Sequence, residues 1–323
     1  MKFVKNSAPC NPNASAEVKN VMKYLAEITG KGLITGQHTK TLKQEDLHKI
    51  VEITGKEPAL CGFELLAYSP NINYDTCDDV CLTEVYENRD TIARAWEWAE
   101  KGGLITFCWH WFSPIGGTDK AFYTEKTDFD PAKAVISGTE ENKALIRDMD
   151  AIAELFKPFR DKHVPILWRP VHESEGTWFW WAAKGTKVAG EIYKIMYDRF
   201  TNIHKLDNLI WIWNAPVKEG YPGDDVVDII SMDLYPEAHT HTSQADNYEK
   251  LASITQSNKL CAIAEIGSII DIEKVQEEEV PWCFYMTWCE GFIRDESFNS
   301  FEVHKKTYNH PFAITLDKLP KLY

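Results

Sequence analysis

At 323 residues the chain is long for one ordinary domain and has the size of a single α/β barrel with decorated loops. A net charge of −14 argues against nucleic acid or an anionic membrane as a partner and is compatible with a neutral substrate. With 44% apolar and 26% charged residues the composition is globular, and no run of about eighteen apolar residues is available to span a membrane.

Residues 1–15 are polar and rich in Pro and Asn. They read as an N-terminal arm, and two Lys without an apolar stretch do not make a signal peptide. Ser15 opens a helix with Val18, Val21, Met22, Leu25 and Ile28 at three-and-four spacing. Gly32 to His38 reads as a first strand and 43–53 as a second amphipathic helix. Pro58 to Leu65 is a second strand with Glu64 at its end, 67–83 a loop rich in Asn and Asp, and 84–101 a helix. Gly103 to His110 is a third strand, and the loop after it, to about residue 137, is long enough to point to function.

A helix over 139–158 leads into the fourth strand, Pro165 to Trp168. Directly after it stand Arg169, His172, Glu173 and Glu175, then the aromatic run Trp178, Phe179, Trp180 and Trp181. The remainder alternates: helix 188–205, fifth strand Asn208 to Pro216, sixth strand Val226 to Tyr235, helix 244–256, seventh strand Leu260 to Gly267, a short acidic helix over 270–279, eighth strand Pro281 to Gly291 and a closing helix over 297–309. The link VKEGYPGDD between the fifth and sixth strands is too short for a standard helix.

These apolar runs are continuous instead of alternating, which is how strands buried on both faces look. Eight βα units close naturally into a (β/α)8 TIM barrel, here over residues 16–323. An open doubly wound sheet would favour a Gly-rich phosphate turn after the first strand, and GLITGQH has no GxGxxG.

In a barrel the C-terminal strand ends converge on one face. Those ends offer His38, Glu64, Trp109, His110, Arg169, His172, Glu173, Asn214, Tyr235, Glu265 and Trp288. Glu265 lies inside the apolar AIAEIG, where a carboxylate is costly unless it is used. Two opposed carboxylates, aromatic walls and no phosphate cradle suit glycoside hydrolysis, with one group kept protonated as acid and the other ionised. Glu173, beside the aromatics, is placed to have a raised pKa; Arg169 could hold Glu265 ionised and the Tyr235 hydroxyl could orient it. The 12 Trp, 13 Tyr and 15 Phe read as material for a flat-faced ligand platform.

A metal set built from His38, His110 and His172 is the competing reading. Glu173 is followed by Ser174-Glu175-Gly176, so there is no HExxH, and no metal or other cofactor is expected. Of the eight Cys, Cys77 and Cys81 form the one close pair, either a small disulfide or a metal pair.

WRPVHESEGTWFWW (168–181), AEIG (264–267), GQH (36–38), WHW (109–111), WIWN (211–214) and SMDLYP (231–236) resemble glycoside hydrolase family 26, best known for endo-β-1,4-mannanases. The resemblance covers most of the chain. It implies a retaining double displacement with Glu173 as acid/base and Glu265 as nucleophile. By the same resemblance, His110, His172 and Trp178 line the subsite of the reacting sugar, Tyr235 contacts the nucleophile and Trp288 is the platform beneath that sugar. It further implies a secreted or cell-surface monomer acting on β-mannan. Three departures stand out: the short link after the fifth strand, Glu64 where an Asp is expected, and Cys289 after Trp288 in place of a basic residue. Another β-glycanase or exo-mannanase of the same family, an inactive carbohydrate-binding barrel and a metal-dependent lyase or aldolase are the alternatives.

Overall fold

The computed structural model describes residues 5–323; the first four residues of the expected arm lie outside them. Among the described residues, eight parallel strands close into a barrel: β1 (Leu33–His38), β2 (Leu60–Glu64), β3 (Leu104–Cys108), β4 (Ile166–Arg169), β5 (Leu209–Asn214), β6 (Ile229–Leu234), β7 (Leu260–Ile266) and β8 (Trp282–Thr287). Each pairs with its neighbour in sequence, and β8 returns to β1. A two-residue strand, β9 (Ala313–Ile314), pairs in parallel with Leu33 and Ile34 at the start of β1. No helix among the described residues is long and apolar enough to cross a membrane.

The period of two along each strand separates two cores. Ile34, Leu60, Leu104, Leu167, Ile210, Ile229 and Phe284 fill the barrel's interior. Helix α1 (Ala16–Ile28) plugs the N-terminal end with Val18, Val21, Met22 and Leu25, and Ser15 caps it by accepting from the Val18 N–H. The alternate residues, among them Phe63, Phe107, Trp168, Trp211, Trp213 and Ile263, face the surrounding helices. Gly62 leaves room for a neighbouring side chain in the interior: a Cβ there would meet Met286 Sδ at 2.3 Å, so Met286 would have to move.

Two helices differ from the sequence reading. The expected helix over 84–101 is two helices, α2 (Glu45–Thr54) being followed by α3 (Asp79–Glu87) and α4 (Thr91–Glu100). Asp78 caps α3 by accepting from Cys81 N–H, which draws 79–83 out of the expected loop, and Thr91 donates back to the carbonyls of Asn88 and Glu64, breaking the helix between them. The loop after β3 carries a short α5 (Pro131–Ala134) before α6 (Glu140–Asp161). Helix α7 (Thr186–Asp198) stops short of 205 in a π turn over 199–203. Helices α8 (Ala245–Ala252), α9 (Ile272–Glu277) and α10 (Phe301–Asn309) complete the ring.

The aromatic load goes into packing more than into a platform. Trp109, Trp111, Trp168, Trp180, Trp181, Trp211, Trp213 and Trp282 are fully buried, whereas Trp178 is 44% exposed.

Candidate active site

The inward positions that are apolar near the N-terminal strand ends become polar at the C-terminal ends: His38, Glu64, Cys108, Arg169, Asn214 and Asp233 occupy the last inward place of β1 to β6. Glu265 reaches the same layer by a different route. On β7, Leu260, Ala262 and Ala264 face inward, so strict alternation would send Glu265 outward. The register shifts at this point, Met232 pairing with Ile263 but Asp233 with Glu265, and this bulge turns Glu265 into the barrel mouth.

Arg169, 1% exposed, donates from Nη1 to Asp233 Oδ2 at 2.7 Å and from Nη2 to Glu265 Oε1. The Tyr235 hydroxyl donates to the other Glu265 oxygen at 2.6 Å. Both carboxylate oxygens of Glu265 are thus engaged by donors, which fixes the orientation of the side chain. Asn214 bridges the neighbouring strands: its Nδ2 donates to Asp233 Oδ1 at 2.9 Å, and its Oδ1 accepts from the Glu173 N–H at 2.7 Å.

That last bond fixes a strained loop. Val171 and Glu173 have φ of 42° and 52°, a region costly for a β-branched residue and uncommon for Glu. The strain carries Glu173 over the barrel mouth, where one carboxylate oxygen each from Glu173, Asp233 and Glu265 lies within 4.8 Å of the other two. Trp178 folds back to donate from Nε1 to Glu173 Oε2 at 2.6 Å, and it can do so because residue 176 is glycine: a Cβ there would lie 2.0 Å from the indole. Burial and then the Glu265 charge push the Glu173 carboxyl up to about 7, against the smaller lowering by Trp178. Asp233 is raised well above the carboxylate range, first by burial, although Arg169 opposes it.

On the opposite wall Glu64 accepts from His110 Nδ1 at 2.6 Å and from its backbone N–H at 2.8 Å. Burial alone would raise the Glu64 carboxyl, but His110 and the Cys108 thiol outweigh it and hold it below its usual value. Burial would likewise lower the His110 pKa, but Glu64 overrides it and raises it. His110 Nε2 meets His172 Nε2 at 3.2 Å; burial and the His110 charge push His172 well down, so His172 is the neutral partner that accepts. His38 stacks on Trp288 with ring centroids 4.0 Å apart.

Among the described residues two groups have metal-ligand spacing: His38 with Glu64 and Cys108, and the three carboxylates above. The first is a hydrogen-bonded thiol cluster, since Cys108 donates to Glu64 at 3.0 Å and burial raises its pKa well above normal, keeping it a poor ligand. The second already has its oxygens engaged by Arg169, Tyr235, Asn214 and Trp178.

The strand-end residues therefore divide. His110, Trp178, Tyr235, Trp288 and Glu173 present surface to the mouth. Arg169, Asn214, Glu64, His38 and His172 are buried and hold those groups in place. Trp109 does not reach the mouth: it is 1% exposed, stacks on Trp111 and donates to Ser69 Oγ at 2.8 Å. Asp233 was not singled out in the sequence, although its inward parity with Ile229 and Ser231 marks it by the same reasoning that marks Glu265. Cys77 and Cys81, like the other Cys, are unbonded thiols.

The family model for glycosyl hydrolase family 26 matches residues 10–318. A mannan endo-1,4-beta-mannosidase of Thermothelomyces thermophilus is 38% identical over 96% of this chain, and mannan endo-1,4-beta-mannosidase A of a Piromyces species 30% identical over 98%. The chain spans 62% and 51% of the lengths of those two proteins. Among solved structures, a GH26-CBM35 β-(1,4)-mannanase of Podospora anserina superposes with a TM-score of 0.89 at 34% identity, covering 100% of this chain and 71% of that one. A β-mannanase from a symbiotic protist of the termite Reticulitermes speratus, complexed with a gluco-manno-oligosaccharide, gives 0.88 at 32% identity over 99% and 100%.

Proposed function

The chain belongs to glycosyl hydrolase family 26, and from that premise we propose that it is a retaining endo-β-1,4-mannanase acting on mannan, glucomannan or galactomannan. The observation that carries the mechanism is the carboxylate spacing. One oxygen of Glu173 lies within 4.8 Å of one oxygen of Glu265, close to the ~5–5.5 Å carboxyl separation of retaining enzymes and short of the ~6.5–9.5 Å of inverting pairs.

In this reading Glu265, held in place by Arg169 and Tyr235, attacks the anomeric carbon as the nucleophile. Glu173, protonated up to about pH 7, gives its proton to the leaving oxygen. Once Glu265 is esterified its charge is gone, and with it one of the two causes that raise Glu173. Glu173 then becomes the stronger acid, ready as carboxylate to take a proton from the incoming water. Trp288 on His38 offers a flat face for the sugar, and His110, both ring nitrogens held by Glu64 and His172, forms part of the mouth's wall. The substrate name is supported by the relatives, several of which are called mannan endo-1,4-beta-mannosidases. Residues 16–323 are the catalytic domain and 1–15 an arm, working as a secreted or cell-surface monomer.

The test is a reducing-sugar assay on mannan, glucomannan, xylan and lichenan, with product anomers followed by NMR. Release from both mannans, with β-anomer formed first, is expected. No release from either mannan defeats the substrate, and first-formed α-anomer defeats the retaining mechanism.

A further inference from the structure

The long segment between β3 and α5 is pinned at its base and along its side instead of hanging free over the mouth. Thr127 Oγ1 donates to Gly116 O at 3.0 Å and bonds Ser113 Oγ at 2.8 Å. Asp119 accepts from Lys126 Nζ at 3.0 Å and from the Asp78 N–H at 3.2 Å, and its carbonyl accepts from the Cys77 thiol at 3.3 Å, which ties the segment to the start of α3. We propose, on the reading of Glu173 as the acid/base, that this loop is a brace for that group and that Thr124 is a positioning residue: by holding the backbone carbonyls of Thr177 and Trp178, it keeps the Trp178 indole on Glu173.

The contact is a short two-stranded clasp. The Thr124 N–H donates to Trp178 O at 2.7 Å and its hydroxyl donates to Thr177 O at 2.6 Å. Beside it Tyr123 bridges Phe179 in antiparallel fashion with the rings stacked 5.6 Å apart, and the Trp180 N–H donates to Phe122 O at 3.1 Å. Trp178 needs such a clasp. Its side chain is 44% exposed, so the close packing that fixes a buried indole is incomplete, and its place depends on its backbone. The Nε1 bond to Glu173 Oε2 is 2.6 Å long, and a backbone displacement of about 1 Å would carry it out of hydrogen-bond range.

The consequence is a proton affinity set from outside the mouth. Glu173 faces Glu265 on β7, Asp233 on β6 and Tyr235 just past it, Arg169 on β4, and His110 and Tyr123 from the segment after β3. Thr124 is uncharged, and replacing it alters none of these groups. Loosening the clasp takes the indole N–H from the ionised form of Glu173, so the carboxyl holds its proton to higher pH. The same loop also rests on His110, whose ring meets Phe122 edge-on at 5.1 Å, so the test must separate the two routes.

The pH profile of kcat/KM on β-1,4-mannopentaose is compared for wild type, Thr124→Val, Thr124→Ser and Thr124→Pro, each also combined with Trp178→Phe. Valine deletes the hydroxyl alone. Proline deletes the N–H as well, and it suits the site because Thr124 opens a 3-10 turn after Tyr123 in extended conformation, φ −76° and ψ 142°. Thr124→Val is expected to raise the alkaline limb by about 0.3–0.5 pH unit and Thr124→Pro by more, while Thr124→Ser stays at the wild-type position. Neither shift should add to that of Trp178→Phe, because the bond is already gone there. A limb that stays put in Thr124→Val and Thr124→Pro while Trp178→Phe moves it refutes the brace, whether or not thermal midpoints fall. A shift that persists in the Trp178→Phe background runs through His110 and refutes it equally. If Trp178→Phe itself leaves the limb in place, the reading of Glu173 as the acid is overturned and the brace with it.

Discussion

The two ends of the barrel are made by the same eight strands and differ in every other respect. At the N-terminal end the inward places hold Ile34, Leu60, Leu104, Leu167, Ile210 and Ile229, closed off by α1. Four residues further along the same strands the inward places hold His38, Glu64, Cys108, Asn214 and Asp233. Apolar burial is tolerant of exact geometry and stabilises the fold by roughly 1.5–3 kcal/mol for each large side chain. Buried charge does the reverse: it costs stability unless each group is met, and it fixes geometry closely. Here the buried polar groups of the upper layer are met, Arg169 by hydrogen bonds to Asp233 and Glu265, and Glu64 by His110. One end of the cylinder therefore supplies stability and the other uses some of it to hold carboxyls in place.

Removing a group from the upper end should silence turnover without unfolding the chain. Glu265→Ala is expected to lower kcat on mannan by about 10⁴-fold or more, near 5.5 kcal/mol of transition-state stabilisation. The fold should survive, because Arg169 keeps its hydrogen bond to Asp233. An unfolding free energy from urea titration within about 1–2 kcal/mol of wild type is expected, and turnover within tenfold of wild type would remove Glu265 from the chemistry. At the lower end the outcome reverses. Ile210→Ala, fully buried, should cost about 2–5 kcal/mol of unfolding free energy while kcat at 25 °C stays within about twofold. A large loss of kcat from this cavity would mean that the two ends are mechanically coupled and that the division drawn above is wrong.

The same contrast explains what could be read from the sequence. Eight strands were legible because burial on both faces writes them as continuous apolar runs, and Glu64, Arg169 and Glu265 stood out as charges where such runs end. What escaped notice depends on single-residue geometry. Asp233 sits one residue inside the strand end, between Met232 and Leu234, so a reading of strand-end residues alone passes over it. Glu265 was assigned to the mouth because of its charge, yet strict alternation would have pointed it outward; only the bulge at Ala264 brings it in, and no residue type announces that bulge. Trp109 looked like part of the mouth because it lies beside His110, whereas the period of two sends neighbours to opposite sides. The break between α3 and α4 rests on Thr91 and Asp78 side-chain bonds that compete with the helix, a choice that periodicity does not register.

The smallest expected effect is the most specific to the upper layer. Trp178 is a donor to Glu173, and a hydrogen bond to the charged form of a carboxyl lowers its pKa. Glu173 must be protonated to act as acid, so kcat/KM should fall as pH rises through about 7. Trp178→Phe keeps an aromatic ring in place and deletes only the N–H. The ionised form then loses a partner, the Glu173 pKa rises further, and the alkaline limb of kcat/KM should move up, by less than about one pH unit for one hydrogen bond. The direction discriminates, because His110 also has a raised pKa and could set a limb in this range, and it makes no bond to Trp178. An alkaline limb that stays in place or moves down in Trp178→Phe would assign it to a group other than Glu173. An upward shift would tie the acid's protonation to the one exposed Trp that Gly176 allows to fold over it.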